Sequence, residues 1–397
     1  MIARVDGQVV LVAGAIPGER VLARIERVGK GVAYAETIGV EDESPDRRPS
    51  AADPACGGCL YAHVAYPRQL QIKSVVIADA FGRIGRLPLP SPVVVAPSAE
   101  EGYRMRARLH VRGARVGFYR EGTHELCDAR QTRQLLPASL DALELLAAAL
   151  ANLGGDGARE IVLAENADAS ERVVHVDATA PLDTQTLDAL AAIEGLTGVV
   201  SGFGTRGNAH VTDVISLDAA APVSLRRHVL TFFQGNRFLF RDLVAHVVAQ
   251  TAPGSNVVDL YSGGGAFALS AAAARGARVR AVEGDRVAAG DLVANCAAAG
   301  GGVTPIREAV ETFLRGARFH PDIVIIDPPR TGMSREALDG MLRLQAGRLV
   351  YVSCDVATLA RDARRVVDAG YAIERVDAFD LFPNTPHVET VVVFNRI

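Results

Sequence analysis

At 397 residues the chain is longer than one hydrophobic core usually serves, so two or three domains are expected. Apolar residues make up 49% and charged residues 22%, an ordinary globular balance, and a net charge of -4 argues against a wholesale nucleic-acid coat protein while leaving room for a local basic groove. The five cysteines (Cys56, Cys59, Cys127, Cys296, Cys354) are odd in number and scattered, unlike a secreted disulfide framework. The opening MIARVDGQVV lacks the regions of a signal peptide, and no apolar run is long enough for a bilayer, so the cytosol is the expected compartment, with no membrane partner.

In chain order, residues 1–45 read as short strands, with Val9 to Val12 and Arg20 to Ile25 alternating around the turn Pro17-Gly18-Glu19, which predicts a small β-barrel. Residues 42–54 form a polar, proline-punctuated linker. Pro67 to Arg86 predicts a helix with Leu70, Ile77, Phe81 and Ile84 on one face. The most basic stretch follows, YRMRARLHVRGARVGFYR, with Arg104, Arg106 and Arg108 two apart and so on one face of a strand. Such a row suits RNA phosphates, or is simply a solvated sheet face; Tyr103 and Tyr119 stack bases or pack. A helix from Ala138 to Leu153, strands near Ile161 and Val173, a helix from Asp183 and a strand near Val199 complete a central α/β region without evident chemistry. After Leu230 strands alternate with helices, the mark of a parallel doubly wound sheet. The division expected is 1–45 barrel, 46–230 central α/β domain and 231–397 Rossmann-like domain.

The C-terminal part carries the chemistry. NVVDLYSGGGAFALS is a strand, a glycine turn and a helix beginning near Ala266, in which Gly263 and Gly265 allow close backbone approach to a ligand. Glu283, ending a second strand about twenty residues later, can accept from ribose hydroxyls. The turn also satisfies the dinucleotide fingerprint through Gly263, Gly265 and Ala268, so it fits any adenosine-containing cofactor, leaves a dehydrogenase open, and taken alone is also a tight strand-helix turn with no ligand. Asp327-Pro328-Pro329-Arg330 ends a buried strand where open α/β sheets bind ligands, and its proline pair makes a rigid wall for a flat base. Cys354 ends the next strand, ahead of a helix whose dipole favours thiolate; taken alone, it also reads as a small buried hydrophobe. Glu389 immediately precedes a Val-rich final strand, a position that a solvated edge residue would also occupy.

Taken in order, FFQGN (Phe232 to Asn236), DLYSGGGAF, VEGD, DPPR, VSCD and HVET resemble the uracil-carbon-5 RNA methyltransferase family. Upstream, VDGQVVLVAGAIPGERVLARI resembles that family's TRAM RNA-binding barrel, and CGGCLYAHVAYPRQLQIK its middle region, so the resemblance spans most of the chain and is weakest over 140–230. It implies a class I, Rossmann-like methyltransferase domain behind a TRAM/OB-like barrel and a central α/β domain. S-adenosyl-L-methionine would be held by Gln234, Tyr261, Gly263, Gly265, Glu283 and Asp327. Phe232 would lie against an extruded base, Cys354 would be the nucleophile and Glu389 the general base. The expected partner is RNA, ribosomal rather than transfer because the barrel leans that way, acted on by a monomer.

The chain departs from the family in places. Members with a [4Fe-4S] cluster use Cys-x5-Cys-Gly-Gly-Cys and a distant fourth cysteine; here Cys56 and Cys59 stand, Ser50 holds the first position and Thr132 the fourth, with Cys127 five residues away. Four thiolates are needed, so no cluster and no other metal is expected. Ala266 and Ala309 replace asparagines common in the cofactor pocket, and the chain starts part-way into the usual barrel. Two rivals remain: a cytosine-carbon-5 RNA methyltransferase, which would want a second cysteine in the DPPR motif, and an RNA-binding homologue with impaired catalysis, which intact Cys354 and Glu389 oppose.

Overall fold

The computed structural model describes residues 1–152, 158–179, 181–217 and 220–397; Leu153, the expected end of the Ala/Leu-rich helix, lies outside them. The N-terminal strands Ile2–Val5, Gln8–Ala13, Arg20–Gly29 and Val32–Asp42 form a four-stranded, barrel-like sheet. Its own core is small, built on Val10, Val12, Ala15, Ala33 and Ala35. The linker that follows is pinned back on it, with Arg47 donating to Glu19 at 2.7 Å and to the Gly14 carbonyl at 2.8 Å.

A seven-stranded sheet occupies the middle of the chain, with Arg106–Arg112 paired between Ala158–Glu165 and Arg115–Tyr119. The period-2 pattern sends Ala107 and Leu109 inward, onto helices Pro137–Asn152 and Thr184–Ala191. The opposite face is partly covered by the hairpin His210–Ile215 and Val223–His228, through Val162, Ala164, Val173, Val200 and Val211.

The C-terminal sheet has eight strands, in the order Val303–Arg307, Arg278–Glu283, Asn256–Leu260, Ile323–Ile326, Arg348–Ser353, Glu389–Arg396, Tyr371–Phe379 and Val95–Ala96. The first five are parallel and Glu389–Arg396 runs antiparallel between its neighbours. Parallel strands buried on both faces read as continuous apolar runs, and here Val258, Leu260, Val324 and Ile326 face one helical layer while Val257, Ile323 and Ile325 face the other. The order reverses between Asn256–Leu260 and Ile323–Ile326, which opens a crevice at their carboxyl ends.

Residues 66–96, from the region assigned above to the central domain, contribute to this C-terminal core: Ile77, Phe81, Leu87, Val93 and Val95 pack in it. The expected 67–86 helix is α-helical only over Tyr66–Ala80, then widens into a π turn, Phe81–Gly85, ended by left-handed Arg86. The wider turn breaks the 3.6-residue period, so Ile77 and Phe81 are buried as expected whereas Ile84 is 48% exposed.

Candidate active site

The crevice is built from strand ends. After Asn256–Leu260 the chain turns through Tyr261 at φ 62°, Gly263 at φ 56° and Gly265 at φ 95° into the helix Ala266–Arg275. The left-handed φ of Gly265 favours glycine there, and a Cβ would also lie 2.8 Å from Leu292 Cδ1 and force that side chain to move. Glu283, leaving the neighbouring strand, accepts from the Gly263 amide at 2.8 Å and from the Asp285 amide at 2.7 Å, which fixes the turn. Across the switch point, Gln234 donates its side-chain amide to Asp327 at 3.1 Å. Asp259, on the central strand, is fully buried with neither carboxylate oxygen partnered. Burial, and then Asp327 nearby, raise Asp259 well above the ordinary carboxylate range; burial lifts Asp327 to about 7, against the Gln234 hydrogen bond.

Cys354 and Glu389 are brought together by register. The last pair between Arg348–Ser353 and Glu389–Arg396 is Ser353 with Thr390, so one step beyond it each strand presents one of the two residues. Glu389 is the first residue of its strand, 2% exposed, with Oε1 unpartnered. Burial, with Asp327 adding to it, raises its pKa well above the usual carboxylate range, with Arg330 pulling the other way. Burial first, then the Glu389 carboxyl, push the Cys354 thiol up to about 12, again against Arg330. The expectation that the following helix favours thiolate is therefore corrected. Loss of water around the sulfur outweighs that helix, Val356–Asp368, which Asp355 caps by accepting from the Thr358 amide at 2.8 Å.

The basic strand meets this site at one end. Arg104 bridges Asn236, Met105 donates its amide to the Gly235 carbonyl at 2.9 Å, and Arg106 donates to the Thr231 carbonyl at 3.2 Å. Phe232 is 63% exposed, with the Arg106 guanidinium 5.7 Å from its ring centroid. The three arginines differ in what they can offer a ligand. Arg104 is committed inside the protein, donating to Gln134 Oε1 at 2.6 Å and to the Arg106 carbonyl at 3.0 Å, whereas Arg108 is exposed and paired with Glu160 at 3.2 Å. Tyr103 is fully buried, while Tyr119 stacks on His110 with centroids 3.6 Å apart.

Known proteins agree on what this arrangement belongs to. The family model described as tRNA (Uracil-5-)-methyltransferase matches residues 310–397, and the TRAM domain matches residues 1–38. A 23S rRNA (uracil(1939)-C(5))-methyltransferase of Acidithiobacillus ferrooxidans is 35% identical, over 100% of this chain and 94% of that relative. The chain belongs to the uracil-C5 RNA methyltransferase family. An uncharacterized RNA methyltransferase of Thermotoga maritima is 30% identical over 98% of this chain and 94% of its own length. The crystal structure of the Pyrococcus abyssi tRNA (uracil-54, C5)-methyltransferase in complex with S-adenosyl-L-homocysteine superposes with a TM-score of 0.77 at 25% identity, covering 97% of this chain and 94% of that one.

The methyltransferase pocket suits S-adenosyl-L-methionine, the methyl donor of the family. The unpartnered Asp259 and Glu389 oxygens lie beside Asp327 as buried carboxyls, which a ligand carrying positive charge would draw into their charged form. Ala266 opens the first helix of the crevice, and Ala309 stands at the N-cap of Val310–Gly316 with no side chain to cap it. An iron–sulfur cluster does not fit the residues present. Cys56 is joined to Cys127, Cys59 donates to the Asp53 carbonyl at 3.2 Å, and Ser50 and Thr132 hold the remaining positions of the pattern. Among the described residues no group of three or more His, Cys, Asp or Glu is placed to hold a metal ion. No described helix is long and apolar enough to cross a membrane.

Some residues of the site escaped sequence reasoning. Arg330 and Asp259 sat inside motifs already singled out, but nothing local marked Arg330 as the charge acting on Cys354 or Asp259 as a buried carboxyl beside Asp327. His387, driven down to about 4 by burial and then Arg330, Lys73 and Arg104, is a neutral ring two residues before Glu389. The Cys56–Cys127 pairing also had no signal in spacing.

Proposed function

We propose that the enzyme methylates carbon-5 of one uridine in large-subunit ribosomal RNA, through a covalent adduct on Cys354. The observation that carries this reading is the register that sets Cys354 and Glu389 side by side at the mouth of the crevice. Carbon-5 of uracil is a poor nucleophile until sulfur adds to carbon-6, which moves the 5,6 π pair toward carbon-5 and the carbonyl. S-adenosyl-L-methionine supplies the methyl group in electrophilic form. Glu389 then takes the carbon-5 proton, the C–H pair rebuilds the 5,6 double bond, and the C6–S pair returns to sulfur. Exposed Phe232 stacks on the extruded base, with Pro328 and Pro329 as a rigid wall. Gln234, Tyr261, Gly263, Gly265, Glu283 and Asp327 hold the cofactor in this reading, and Arg106 and Arg108 lead RNA toward Phe232.

The ribosomal substrate is supported by the relatives named for 23S rRNA in Acidithiobacillus ferrooxidans and Halomonas elongata. The barrel does not support it independently, because the tRNA-directed P. abyssi enzyme matches 97% of this chain, barrel included. Mass spectrometry of ribosomal and transfer RNA from a strain lacking the gene tests it. Loss of one 5-methyluridine from large-subunit rRNA is expected; loss from tRNA alone overturns the substrate, and loss of 5-methylcytidine overturns the reaction.

A further inference from the structure

Among the described residues Glu389 Oε1 has no hydrogen-bond partner, and the residue opens its strand. Its backbone pairs with Phe379, and residues 380–388, the loop that joins the two, are held by segments far away in sequence. Lys73 pairs with Asp380 and donates to the Phe382 carbonyl at 3.1 Å; Asn236 donates to the Leu381 carbonyl at 3.1 Å; the Tyr103 hydroxyl donates to the Pro383 carbonyl at 3.3 Å. The apex is Asn384, 8% exposed and left-handed at φ 64°. Asparagine tolerates that conformation better than most residues and keeps a side-chain acceptor there. Its Oδ1 accepts from Gln69 at 2.9 Å and Arg48 at 2.7 Å, its amide donates to Gln69 Oε1 at 2.9 Å, and its carbonyl accepts from the Tyr61 amide at 2.8 Å. Every hydrogen-bonding group of the residue but the side-chain NH2 is thus spent on Arg48 and Tyr61, before the helix Tyr66–Ala80, and on Gln69 in its first turns.

We infer that Asn384 is a positioning residue, fixing through Gln69 and Arg48 the loop that aims the Glu389 carboxylate at the carbon-5 proton. The inference rests on Glu389 being the base. It assigns to residues 48–73, which hold Ser50, Cys56 and Cys59 of the incomplete cluster pattern, a role in the proton-removal step and not in nucleophilic addition or methyl transfer.

The test separates those steps. With RNA tritiated at carbon-5 and a labelled methyl donor, Asn384→Gly keeps the left-handed backbone and loses Oδ1. It should load the methyl label into a denaturation-stable protein–RNA species at the unaltered rate, while tritium release slows by about 10- to 10²-fold. Asn384→Asp, which retains the acceptor, should release tritium near the unaltered rate. Arg48→Met, at the margin of the network, should slow release in the same direction by less. Release at the unaltered rate in Asn384→Gly, or equal slowing of methyl loading and release, would overturn the inference. Glu389→Gln run alongside distinguishes the failures. An adduct there with none in Asn384→Gly removes this inference alone, whereas no adduct in Glu389→Gln removes the base assignment and this inference with it.

Discussion

Glu389, Asp327 and Asp259 share one buried crevice, and each carboxyl is held above its ordinary range chiefly by loss of water. A carboxyl whose folded value is raised stabilises the fold below its unfolded value, and that contribution is lost as pH rises through the folded value. The free protein should therefore melt at lower temperature as pH climbs from about 5 to 8. A cationic cofactor draws the same groups into their charged form, so S-adenosyl-L-methionine should bind more tightly, and raise the melting temperature more, at the upper end of that range. Thermal melts with and without cofactor check both signs; a cofactor shift larger at acid pH would contradict them. The rate follows the same direction. Glu389 must be ionised to accept a proton, and Cys354 at about 12 must lose one to add, so kcat/KM should rise with pH across about 6 to 9; a profile falling over that interval would contradict both roles. The arginine row divides at this scale too. Arg108→Ala should flatten the logarithmic salt dependence of RNA binding by about 0.7, one phosphate contact to a single strand. Arg104→Ala leaves Gln134 Oε1 without its donor and should cost about 1–3 kcal/mol of stability, read from denaturant melts, without that change in slope.

At the level of elements, the strand ends do the placing. Motif order and the alternation of strands with helices were enough to expect Cys354 after one strand and Glu389 at the start of another. That these two strands are antiparallel neighbours paired at Ser353 and Thr390 depends on a crossover no local pattern records. The same limit applies to the arginines: period 2 says that Arg104, Arg106 and Arg108 share a face, but not that Asn236 bridges the strand at Arg104 and Gln134 takes its guanidinium. Ile84 was misplaced because one π turn shifts the helical face. The segment around Cys56 gives an element-scale prediction. Non-reducing peptide mapping of protein purified without reductant should recover the Cys56 and Cys127 peptides as one linked species, with Cys59 free. Iron and acid-labile sulfide should fall far below one cluster per chain in protein purified anaerobically; stoichiometric iron and sulfide would show that Cys56, Cys59 and a substitute ligand suffice.

Across the whole molecule, two sheets and the stretch from Arg48 to Gln69 converge on one crevice. The central sheet delivers Arg106 to Phe232, Arg48, Tyr61 and Gln69 grip the loop before Glu389, and the doubly wound sheet supplies Cys354. The fold class was legible because parallel strands, glycine turns and helices repeat locally, and the reaction because its motifs fall in one order. The grip on the loop was not legible: Gln69 and Asn384 lie 315 residues apart, and Lys73 and Asp380 lie 307, without any periodicity to connect them. The central claim is that Cys354 bonds to the uracil and Glu389 releases it, and a denaturing gel of enzyme incubated with RNA and S-adenosyl-L-methionine tests it most directly. Loss of a general base costs about 10²–10⁴-fold, slow enough for Glu389→Gln to accumulate a protein–RNA band. That band should carry methyl label and be absent from Cys354→Ala and from the Cys354→Ala/Glu389→Gln double variant. Near-normal turnover of Glu389→Gln with no band, or a band that persists without Cys354, would contradict the account.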